Sequence, residues 1–110
     1  MSEVLGREHA IGGLDQIPPG EGRNFEVAGT LVAVFRTRAD AVFATQAACP
    51  HRGGPLADGM VGGTVVMCPL HDRSYDLLTG IELGGDCGVA VYPVRRGGDD
   101  QLWLTLPATG

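Results

Sequence analysis

Two short stretches restrict this chain more than anything else in it: Cys49-Pro50-His51 and Cys68-Pro69-Leu70-His71. Each sets a cysteine, a proline and a histidine close together, and sixteen residues, 52–67, separate His51 from Cys68. Any fold must leave four strong metal donors idle or bring the two stretches together. The intervening residues suggest how they meet. Gly62-Gly63 divides Met60-Val61 from Thr64-Val65-Val66-Met67, the pattern of a hairpin that would lay the flanking loops side by side. Three cysteines cannot all pair within one chain, and a reducing compartment favours metal chemistry over disulfides.

The rest of the chain reads as a scaffold for those loops. Eighteen glycines and seven prolines in 110 residues imply many tight turns between short strands. Phe25-Glu26-Val27 and the run 30–35 read as two strands about a tight turn at Gly29, and Asp40 opens a third at 41–45. The runs 89–94 and 102–106 close the chain as two more strands, with Gly97-Gly98-Asp99-Asp100 as the turn between them. Pro93 points to an edge position or a bulge, and Arg95 and Arg96, next to two glycines, read as charges on a solvated turn. Leu14-Asp15-Gln16-Ile17, stopped by Pro18-Pro19, has room for one helical turn. The expected class is all-β: one domain over 1–110, built of short antiparallel strands, with the metal loops at about 46–76. Chemistry on such a scaffold belongs in its loops.

Charge and hydropathy exclude several roles. The net charge is −5 with no basic cluster, so nucleic acid is not an expected partner. No apolar run approaches the ~18 residues that span a bilayer, and the first eight residues carry acids where a signal peptide needs a basic start. No membrane partner is therefore expected, and the cytoplasm is the expected location.

Two cysteines and two histidines suit tetrahedral zinc, but zinc fingers usually pair cysteine with cysteine and histidine with histidine. Mixed Cys/His pairs in two proline-led loops suit a binuclear iron cluster better. Thiolates hold one ferric iron and neutral imidazoles the other. The spacing Cys-x-His, sixteen residues, Cys-x-x-His resembles the Rieske 2Fe–2S family, with the similarity running from about Gly13 to Leu106. That resemblance implies Cys49 and Cys68 on a buried inner iron and His51 and His71 on an outer iron near the surface. It also places Tyr75 at the aromatic position whose hydroxyl hydrogen-bonds a cysteine sulfur. His9, far from both loops, reads as a surface or strand histidine, and Cys87 as a loop thiol.

The departures from the family pattern are informative. Respiratory Rieske proteins carry an extra cysteine in each loop, joined as a disulfide; here those places are Gly54 and Leu70. They also carry a serine two residues after the second histidine, where this chain has Arg73. With fewer hydrogen bonds to sulfur the reduced cluster is less stabilised, and the expected potential is near the low end of the family's range, around −150 mV. Only His9 remains after the ligands are assigned, too few for the mononuclear iron of an oxygenase. The chain thus reads as an electron carrier, not an enzyme on its own.

Two kinds of relative have this size. One is the small subunit of NADH-dependent nitrite reductase, docked on a large flavin- and sirohaem-containing subunit. The other is the Rieske ferredoxin that carries electrons from a flavin reductase to a ring-hydroxylating terminal oxygenase. Residues 55–63 and Tyr75-Asp76-Leu77-Leu78-Thr79-Gly80 look closer to the first, which is the reading preferred here; the ferredoxin is the alternative. A redox sensor or structural zinc protein is a minor third. Arg52 and Arg73 are expected to frame the histidine edge and steer redox partners electrostatically.

Overall fold

A computed structural model describes residues 7–49, 55–69, 73–85 and 88–106. Among these, ten strands form three antiparallel sheets. They are β1 (Arg7–Gly13), β2 (Glu21–Val27), β3 (Thr30–Arg36), β4 (Val42–Gln46), β5 (Met60–Gly62), β6 (Val65–Met67), β7 (Ser74–Asp76), β8 (Val91–Tyr92), β9 (Val94–Arg96) and β10 (Gln101–Leu106). One sheet has the order β1-β10-β9, the second β2-β3-β4-β8, and the third β5-β6-β7. Two single 3-10 turns, Leu14–Gln16 and Leu56–Asp58, are the helical elements among the described residues. The all-β class expected from the sequence is the class observed.

Strand β3 organises the interior. Its residues alternate between two hydrophobic clusters, as side chains on a strand must. Val32 and Val34 face one cluster with Leu14, Ile17, Leu102 and Leu104. Ala33 and Phe35 face the other, with Leu56, Val66, Tyr75, Cys49 and Cys68. A strand covered on both sides reads as a continuous apolar run, as Val32-Ala33-Val34-Phe35 does here with all four residues fully buried. Gly22 on β2 makes room for that ring: a Cβ there would lie 2.7 Å from it.

The expected strands occur with small changes of boundary, and three features differ. The run 89–94 is two strands. β8 pairs with β4, β9 pairs with β10, and Pro93 stands where the chain leaves the edge of one sheet for the edge of another. A residue without an N–H is tolerated there, while its carbonyl accepts from the Thr105 N–H at 2.9 Å. Arg95 and Arg96 belong to β9 and not to a turn. Arg95 makes a two-pronged ion pair with Glu8 (2.6 and 2.9 Å) and lies 5.5 Å over the Trp103 ring. Cross-strand partners thus hold a charge that looked merely solvated. Finally, β1 and β7 are strands that local pattern did not show. β1 contains the half-exposed His9, opposite Leu104, and a register shift between Ala10 and Gly12.

Candidate metal centre

The third sheet carries the chemistry. β5 and β6 pair as the hairpin expected around Gly62-Gly63, with Val61 opposite Val66. β7 then returns along β6, setting Tyr75 opposite Val66. One metal loop precedes β5 and the other joins β6 to β7. Of the residues proposed from sequence for the site, Cys49, Cys68, Arg73 and Tyr75 are described. His51, Arg52, Gly54 and His71 lie outside the described residues, as do Leu70 and Cys87.

Both loops are pinned at their bases. In the first, Ala48 bridges Pro55, and the Leu56 N–H donates to the Ala47 carbonyl at 3.0 Å. Gln46 ties the same base to the second sheet. Its amide nitrogen donates to the Ala48 carbonyl at 2.7 Å and its amide oxygen accepts from the Ala90 N–H at 2.8 Å. In the second loop the Cys68 N–H donates to the Arg73 carbonyl at 2.8 Å. The residues that flank the two loops also approach each other closely. A Cβ at Gly59, which follows the first loop, would run into the carbonyl of Met67, the residue before Cys68. Only glycine permits so close an approach of two backbones.

These constraints bury Cys49 and Cys68 in one cluster, 2% and 3% exposed. The Tyr75 hydroxyl, fully buried, is 3.5 Å from the Cys49 sulfur. Burial, then the hydrogen bond to Cys49, holds the phenol above its ordinary pKa, with the charges of Cys49, Glu82 and Cys68 acting in the same direction. Tyr75 therefore keeps its proton, and towards a metal-bound thiolate it is the donor. Two sheltered sulfurs with a phenol aimed at one of them suit the inner iron of an iron–sulfur cluster, where hydrogen bonds to sulfur and burial set the potential.

A second feature had no signature in the sequence. Around the cysteines the strand alternation is inverted: Ile81 and Leu83 are 60% and 51% exposed, and Glu82 between them is buried. A bridge between Tyr75 and Glu82, with the Leu83 N–H donating to the Ser74 carbonyl at 2.9 Å, fixes that register. The Glu82 carboxylate receives the Arg73 guanidinium at 2.6 Å. Hydropathy alone would place this acid in water, and only the pairing of Glu82 with β7 reveals it inside. Arg73, expected as a docking charge, is committed at least in part to this internal anion.

Comparison with known proteins identifies the family. Residues 8–93 match the model of the Rieske [2Fe-2S] domain. The chain belongs to that family, and a Rieske-type 2Fe–2S cluster is its cofactor. It is 31% identical over 84 residues to the ferredoxin component of the naphthalene 1,2-dioxygenase/salicylate 5-hydroxylase systems of a Ralstonia species, covering 74% of this chain and 80% of that one. Among solved structures it is similar to the ferredoxin of carbazole 1,9a-dioxygenase from Nocardioides aromaticivorans IC177, with TM-score 0.78 and 30% identity over 92% of this chain and 98% of that one. The fold also superposes on a Mycobacterium tuberculosis protein assigned as an NADH-dependent nitrite reductase small subunit. There the TM-score is 0.89 and the identity 24%, with 96% of this chain and 100% of that one covered. The role that the family defines is Rieske-type electron transfer within an oxidoreductase system. Among the described residues no helix is long and apolar enough to cross a membrane.

Proposed function

We propose that Cys49 and Cys68 hold the inner iron of the cluster, that His51 and His71 hold the outer one, and that the chain acts as a Rieske ferredoxin. It would take single electrons from a flavin reductase and deliver them to a ring-hydroxylating oxygenase. The observation that carries the ligand assignment is the pair of cysteines buried in one cluster beside the Tyr75 hydroxyl. The cluster supplies the one-electron chemistry. The chain's own residues shelter the sulfurs, donate to one of them, and anchor the loops that bear the imidazoles.

The destination rests on relatives at 30% identity or more over most of both chains, which are dioxygenase ferredoxins. A nitrite reductase small subunit is the second reading, favoured by residues 55–63 and 75–80. The second of those stretches has a local explanation. Asp76 accepts from the Leu78 N–H at 2.8 Å, Thr79 from the Ile81 N–H at 3.2 Å, and Gly80 sits at φ 82° where a Cβ would strike the Val89 carbonyl. Turn chemistry of this kind is required whichever partner is served.

Pull-down from native cells separates the two readings. Recovery of a flavin reductase with an oxygenase supports the ferredoxin, and recovery of a large sirohaem protein supports the nitrite reductase subunit. Visible and electron-paramagnetic spectra of the purified protein should show the Rieske cluster, and Cys49→Ser should abolish it. A cluster retained in that variant would reject the ligand assignment.

A further inference from the structure

Glu82 is expensive to keep where it is. A carboxylate removed from water is destabilised unless it is paired, and here the neighbours on either side, Ile81 and Leu83, expose apolar surface. A shift of one residue would bury both and free the acid. Gly85 is part of the same arrangement: a Cβ there would lie about 2.6 Å from the Glu82 carboxylate oxygens. The backbone is thus shaped around this group. It bridges Tyr75, whose hydroxyl reaches the Cys49 sulfur, and it is bound by Arg73, whose carbonyl accepts from the Cys68 N–H.

We propose that Glu82 is a potential-setting residue, a buried negative charge held by Arg73 behind Tyr75 that makes the cluster harder to reduce. The inference rests on the ligand assignment above and goes beyond it. Adding an electron makes the cluster more negative, so a fixed anion nearby opposes reduction and a fixed cation favours it. The two members of the pair do not cancel. The Glu82 side chain is 4% exposed and that of Arg73 41%, so solvent screens the cation more effectively than the anion. Of the two charges, the carboxylate is the one whose field reaches the interior less screened.

The test is a redox titration of the cluster-loaded protein, followed by visible absorbance, on wild type and variants. Glu82→Gln keeps the shape and removes the charge. It should raise the midpoint potential by the equivalent of about a tenfold shift of the reduction equilibrium, the scale of one charge at an effective dielectric of ~20. Arg73→Lys keeps the cation and should titrate with wild type. The double variant Glu82→Gln/Arg73→Gln removes both charges and should fall between wild type and Glu82→Gln. A loaded Glu82→Gln protein with an unchanged or lower midpoint overturns the proposal. If that variant fails to take up the cluster, the double variant decides: a midpoint at or below wild type, or failure of both to load, makes the pair a folding contact only. Cluster retention in Cys49→Ser would instead reject the ligand assignment, so the two failures are distinguishable.

Discussion

At the Cys49 sulfur, the Tyr75 phenol is a hydrogen-bond donor within the protein's interior. Tyr75 sits 3.5 Å away with no exposed surface, and with Cys49 on the cluster as proposed its hydrogen bond would stabilise the more negative, reduced state. Tyr75→Phe should therefore lower the midpoint by roughly 40 mV, the one-electron equivalent of about 1 kcal/mol for one hydrogen bond. The wild-type value is expected near −150 mV, and a midpoint well above zero would contradict that reading of the loops. Both quantities come from one redox titration. At this scale the sequence was most legible where chemistry is local: the two stretches that set Cys, Pro and His close together stand out unaided, while the role of Tyr75 came only through the family resemblance. Glu82 was not legible, because a carboxylate between two aliphatic residues carries the pattern of an exposed strand face. What buries it is a bridge to Tyr75 seven residues earlier in the chain.

Among the elements, the ion pair between Glu8 on β1 and Arg95 on β9 spans the intervening strand β10. The hydrogen bond from Arg95 holds the Glu8 carboxyl below its ordinary pKa, the lesser Coulombic pull of Arg95 acts with it, and desolvation opposes both. A carboxylate depressed on folding stabilises the fold above its unfolded pKa, and that contribution disappears as pH falls through the folded value. Wild type should thus melt slightly above Glu8→Gln at pH 7, and the two Tm values should converge below the usual carboxylate range. The difference should be small, because both side chains are solvent-exposed. Thermal melts followed by fluorescence of the single tryptophan, Trp103, would measure it. The same strands show why parts of the sheet pattern were hidden. In β1, His9 and the register shift before Gly12 interrupt alternation, and β7 is only Ser74-Tyr75-Asp76. Arg95 and Arg96 were misread because two glycines follow them, whereas strand pairing with β10 continues through Arg96.

For the molecule as a whole, the two hydrophobic clusters divide labour. One contains both cysteines and Tyr75; the other joins β10 to the second sheet through Leu102, Leu104 and Val34. Leu104→Ala should destabilise the fold by about 2–5 kcal/mol, measured by denaturant unfolding of the loaded protein, while leaving the midpoint potential unchanged. The all-β class and most strands were legible because β-branched runs and glycine turns are local signals. Which cluster each side chain joins was not, since it depends on pairings between distant strands.

One consequence of β3 lies outside static geometry. Its backbone is a partition with the metal loops' core on one side and the scaffold's on the other. Losing the cluster should loosen one compartment while the wall still stands. In amide hydrogen exchange, apo protein should then lose protection at Val66, Cys68 and Tyr75, whereas Val34, Leu102 and Leu104 exchange as slowly as before. Uniform loss of protection would mean that the partition does not insulate, and that the cluster is a keystone for the entire chain.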